Sequence, residues 1–110
     1  MAFLDFFKKK NDNLIIESKT NVDDLLPIGS VVTIPDLNHR MMIIGIKQIS
    51  VEDNHEYDYA GVPYPSGILG NEGYLLFNND DITEINFIGY QDSERFAFLD
   101  QLQEYMNKRC

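Results

Sequence analysis

The sequence predicts an α+β domain: a small antiparallel, partly barrel-like β-sheet of about five strands, followed by one C-terminal amphipathic helix. Three observations carry this expectation. Pro27 and Pro35 bracket Ile28 to Ile34, a run whose β-branched residues favour extended backbone. Met41 to Ile49 is the most apolar run of the chain and reads as the central strand. Beyond Asp92 the apolar period changes from two to three and four, with Phe96, Leu99, Leu102 and Met106 in one stripe.

The elements follow in order. Met1 to Asn13 reads as a short amphipathic extension, residues 1–13, preceding a single globular domain, 14–110. Phe3, Leu4 and Phe7 share one helical face, and Lys8-Lys9-Lys10 follows at once. Aromatics beside lysines are what a membrane-surface helix uses, so membrane contact through residues 1–10 stands as a minor alternative to folding back, fraying or docking into a partner. Leu14-Ile15-Ile16 is a candidate first strand. After the Ile28–Ile34 strand, Asp36 to His39 supplies turn residues. Gly45, inside the central run, points to a bulge or a close backbone approach. Val51 to His55 is a polar hairpin tip, after which Tyr57-Asp58-Tyr59 alternates with period two, tyrosines to one side and Asp58 to the other.

Pairing is expected to stop after Pro63, where Pro65-Ser66-Gly67 to Asn71-Glu72-Gly73 is rich in turn formers. Tyr74 to Phe77 restarts a strand, Asn78 to Asp81 turns, and Ile82 to Ile88 alternates with Ile85 and Phe87 on one face, completing a β-meander. Asp92 or Ser93 is the expected N-cap of the helix, and Lys108 and Arg109 complement its dipole. Phe98 and Tyr105 broaden its apolar face, which is expected to cover the sheet.

Charge narrows the function. The formal net charge is −9. No Lys or Arg occurs from Gln48 to Glu94, a stretch that holds Glu52, Asp53, Glu56, Asp58, Glu72, Asp80, Asp81, Glu84, Asp92 and Glu94. Cationic contacts to phosphate supply most nucleic-acid affinity, so this field argues against DNA or RNA and permits a basic protein partner. The single cysteine, Cys110, offers neither an intramolecular disulfide nor a cysteine metal cluster, which fits a reducing cytosol, and the expected location is cytoplasmic. No apolar run approaches the roughly 20 residues that span a bilayer, and no secretory signal pattern is present.

Catalytic chemistry finds no foothold in the motifs. His39 and His55 lie in polar turns without a nucleophile elbow or a Cys–His arrangement. Gly67, Gly70 and Gly73 precede a strand instead of a helix, unlike a phosphate cradle. Asn78 to Asp81 lacks the calcium-loop spacing. The carboxylate pairs Asp53/Glu56 and Asp58/Glu72 have separations that sequence does not reveal. The expectation is a protein that is not an enzyme and has no cofactor or metal.

Four blocks remain: Leu26-Pro27-Ile28-Gly29-Ser30-Val31-Val32, Met42-Ile43-Ile44-Gly45, Tyr57-Asp58-Tyr59-Ala60-Gly61-Val62-Pro63-Tyr64-Pro65-Ser66-Gly67, and Leu76-Phe77-Asn78 to Ile82. In this order they resemble a family of small proteins of low-GC Gram-positive bacteria, encoded near type VII secretion systems and their LXG-type toxins. The resemblance runs from about Leu25 to Met106 and brings no catalytic residues. It implies an accessory protein that binds a secreted toxin or a secretion component as a chaperone or targeting factor. The alternative is an immunity protein that inhibits a cognate toxin. Tyr57, Asp58, Tyr59, Pro63, Tyr64 and Pro65 are the candidate partner-binding residues, with the tyrosines and prolines as a rigid apolar centre and the acidic residues as its rim. The opposing reading places the tyrosines in the core, with Tyr64, between two prolines, the most exposed of them.

Overall fold

The computed structural model describes residues 19–70 and 73–108. The readings of Met1 to Asn13, of Leu14 to Ile16, of Glu72 and of Cys110 lie outside the described residues. Five strands form one antiparallel sheet: β1 (Val31–Thr33), β2 (Arg40–Ile49), β3 (Glu56–Tyr64), β4 (Leu75–Phe77) and β5 (Glu84–Phe87). Helix α1 (Ser93–Lys108) follows. The sheet order is β4-β3-β2-β1-β5, so the sheet is open, β2 is central as its apolarity predicts, and β4 and β5 are the edges.

The meander expectation needs correction at its last step. β1 to β4 do follow one another, but after a 3-10 turn at Asn79–Asp81 the chain crosses to the far edge and β5 pairs with β1. The crossing is anchored by Thr83, whose N–H donates to the Thr33 carbonyl (3.0 Å). The turn is closed by the Asp81 carboxylate, which accepts the Asn78 N–H (2.9 Å).

β2 and β3 make the longest ladder. Its register slips by one residue between Ile43 and Gly45, the bulge that Gly45 announces, and Ile44 is thrown out to solvent. Gly61, opposite Ile43, is required for packing: a Cβ there would stand 2.7 Å from the Phe77 ring. Pro63 sits beyond the last β4 partner, Leu75 opposite Gly61, on a stretch of β3 paired on one side only, where a proline is tolerated.

The core gathers Val32, Met41, Ile43, Ile46, Tyr59 and Phe77 from the sheet, Ile34 from just past β1, Val22 and Leu25 from the segment before the sheet, and Leu99 and Leu102 from α1. Asp92 is the N-cap, its carboxylate accepting the Arg95 N–H at 3.0 Å. The helix covers the core as expected, through Leu99, Leu102, Met106 and Phe98, but Phe96, expected in the same stripe, is exposed.

Candidate partner-binding surface

The Tyr/Pro motif lies along β3, and the structure divides it between interior and surface. Asp58 and Tyr59 are fully buried. The Tyr59 ring packs 5.4 Å from that of Phe77, its hydroxyl donates to Asn79 Oδ1, and it accepts the Leu26 N–H at 2.8 Å. Burial pushes the Tyr59 hydroxyl up to about 12. The two candidates are thus positioned inside the fold.

Asp58 belongs to a buried ionic cluster that sequence analysis missed. Lys47 Nζ lies 3.7 Å from Asp58 Oδ1 and 3.8 Å from Glu56 Oε1, with all three side chains at most 1% exposed. The ammonium also donates to the Thr20 carbonyl (3.1 Å), while Asp58 Oδ2 accepts the Thr20 hydroxyl (2.6 Å) and the Asn79 N–H (2.9 Å). Glu56 and Asp58 share one side of β3 and Lys47 reaches them from the neighbouring strand. The cluster clasps the chain at Thr20 to the sheet; it is a structural latch.

Tyr57 is half-buried at the other end of the motif's surface. Its hydroxyl donates to Asp53 Oδ2 (3.1 Å) and its ring is tilted against that of His55, 6.0 Å away. The Asp53 carboxylate also accepts the His55 N–H (3.0 Å), which holds it below the usual carboxylate range, and in turn its bond raises the Tyr57 hydroxyl above its ordinary value. Pro63 is half-buried, whereas Tyr64 and Pro65 are exposed, and the Gly67 N–H closes the turn by donating to the Pro63 carbonyl at 2.7 Å.

Two clefts flank this surface. One, of about 670 Å³, is lined by Tyr57 together with Glu52 and Asp53 from the β2–β3 turn. The other, of about 410 Å³, is lined by Pro63 and Met41 with Asp36 and His39. Tyr74 and Leu75 line both. Ile68 and Leu69 are exposed, like Tyr64, Tyr74 and Leu75. Exposed apolar and aromatic side chains therefore recur from the end of β3 to β4, where Tyr64 pairs with Arg40 and Tyr74 and Leu75 line both clefts. Tyr74, Leu75, Ile68 and Leu69 were missed because they lie in or beside a turn-rich segment without period. Their signal was large apolar residues among turn formers.

Among the described residues, no group of three His, Cys, Asp or Glu side chains is placed to hold a metal ion, and no helix is long and apolar enough to cross a membrane. No curated protein and no solved structure matches the chain. The family model described as "Domain of unknown function (DUF4176)" matches residues 25–98, well over half of the sequence, and the chain belongs to that family.

Proposed function

We propose that this protein is a non-enzymatic accessory factor of type VII secretion, which acts in the cytoplasm by binding a secreted toxin or a secretion component as a chaperone or targeting factor. The observation that supports the binding role is the exposure of Tyr64, Ile68, Leu69, Tyr74 and Leu75 between the end of β3 and β4, with Tyr74 and Leu75 lining two clefts that also hold Glu52, Asp53 and Asp36. Tyrosine supplies a large contact area at low conformational cost and is over-represented where interfaces carry their energy. The acidic borders would steer a basic partner without contributing much affinity. The link to secretion rests on the resemblance of the four sequence blocks.

The test is an affinity pulldown of the tagged chain from cells that carry such a locus, read by mass spectrometry. An LXG-type toxin or secretion component should be recovered with the wild-type chain. Tyr64→Ala combined with Tyr74→Ala should weaken that association at least about tenfold, the scale of an interface hot spot, with the circular dichroism spectrum unchanged. Undiminished recovery by the double variant would remove this surface from the proposal. Deletion of the gene separates the roles: lost toxin export supports the accessory factor, and self-killing points to the immunity protein.

A further inference from the structure

We propose that the cleft between the β2–β3 turn and β4 binds a lysine or arginine side chain presented by an apolar stretch of a partner protein. The inference rests on the reading of this chain as a protein-binding factor and deepens it, naming the side-chain chemistry that one cleft selects. That cleft, of about 670 Å³, has the size of those that bury a small ligand, and side chains of contrasting character line it. Glu52 and Asp53 bring carboxylates, Tyr57 and Tyr74 bring rings, and Ile49 and Leu75 bring aliphatic surface. A cation on an aliphatic stem is matched by all three: an anion for its head, an aromatic face beside it and apolar contact for the stem.

The anionic side is fixed by the turn itself. The Ser50 N–H donates to the His55 carbonyl (2.9 Å) and the Asn54 N–H to the Ser50 carbonyl (2.9 Å), which closes the turn. Both oxygens of Asp53 are held, Oδ1 by the His55 N–H (3.0 Å) and Oδ2 by the Tyr57 hydroxyl (3.1 Å). These bonds keep the carboxylate ionised at neutral pH, and each oxygen retains a lone pair for a further donor. Glu52, next to it, is exposed. Among the described residues neither acid is paired with a lysine or arginine.

Charge selects the occupant. No lysine or arginine occurs from Gln48 to Glu94, and Lys47, the nearest in sequence, is turned into the buried cluster with Glu56 and Asp58. Gln48, which also lines the cleft, turns its side-chain amide back to the Ile46 carbonyl at 3.0 Å. The complementary charge therefore comes from another molecule. A second copy of this chain would bring a further net charge of −9 to the same place, which disfavours it. An exposed carboxylate alone adds little affinity, so the selectivity comes from pairing two acids with two rings and an apolar wall.

The full chain, labelled with ¹⁵N, would be titrated with a tripeptide of arginine between two leucines, blocked at both ends, and with the same peptide carrying uncharged citrulline in place of arginine. Saturable amide shifts centred on residues 48–53, 57 and 74–76 are the expected result, with the citrulline peptide at least about tenfold weaker. Glu52→Gln, an exposed change, should weaken the arginine peptide about threefold. Asp53→Asn, whose amide oxygen still accepts the His55 N–H, should weaken it about tenfold. Equal binding of the citrulline peptide, shifts centred elsewhere, no saturation by about 10 mM peptide, or unchanged affinity in the variant carrying both substitutions would each overturn the proposal. So would the same shifts on adding calcium chloride alone or on raising protein concentration alone, which would give the cleft to a metal ion or to a second copy. Recovery of a cellular partner and its dependence on Tyr64 and Tyr74 stand if the cleft fails, and peptide binding stands if no secretion component is recovered, so the two readings fail separately.

Discussion

Lys47 occupies a position that neither hydropathy nor strand alternation would give to a cation: it is buried, its φ is 50°, and its ammonium stands between Glu56 and Asp58. A left-handed backbone angle is costly for a side chain with a Cβ, and the ionic contacts offset that cost. Lys47→Met keeps the length and removes the ammonium from between two carboxylates. It should destabilise the fold by about 3–5 kcal/mol, measured by urea denaturation. Tyr59 supplies a pH signature. Its proton leaves near 10 in the unfolded chain and about 12 in the fold. Because the folded state holds the proton more tightly, this contribution to stability is full below pH 10, falls through the window from 10 to 12 and is lost above it. Denaturation midpoints between pH 8 and 12 should show the fall, and Tyr59→Phe should lack its share of it. From the sequence, Glu56 and Asp58 look like the solvent side of an amphipathic strand. Only the ladder that brings Lys47 alongside, and Thr20 above, makes them interior, and neither contact has a local signal.

Elements with strong local signals came out as their residues indicate. The prolines bound the first strand region, Gly45 marks the β2 bulge, and Asp92 caps the helix. Asp92→Ala should therefore cost about 1 kcal/mol, read as a lowered denaturation midpoint with the first helical turn loosened in amide exchange. Where β5 goes was not legible. Asn78 to Asp81 announces a turn, but the turn does not say whether the next strand pairs with β4 or with the edge left open by β1. Ile85 and Phe87 alternate like a half-buried strand and yet remain exposed, since α1 covers the core through Leu99 and Leu102. Likewise the helix face is read with both Phe96 and Phe98 on it, and packing against the core takes Phe98 and leaves Phe96 exposed.

At the scale of the whole molecule the net charge of −9 sets a self-repulsion that the compact state must bear. Added sodium chloride screens it, so the melting temperature should rise between low and roughly 0.5 M salt, followed by far-ultraviolet circular dichroism since the chain contains no tryptophan. A fall with salt would show that attractive surface pairs outweigh the repulsion. Of the six residues singled out as a binding motif, four lie wholly or partly at the surface and two are sealed inside, because a strand buried on both faces does not reveal from its own sequence which neighbours cover it. The core has one more consequence, for where the domain can be cut. Val22 precedes the family-matched residues 25–98 and Leu99 and Leu102 follow them, yet all three are interior, and Thr20 is tied to the ionic latch. A fragment trimmed to residues 25–98 would lose both the clasp at Thr20 and most of the closing helix, and with them part of the interior that holds the sheet.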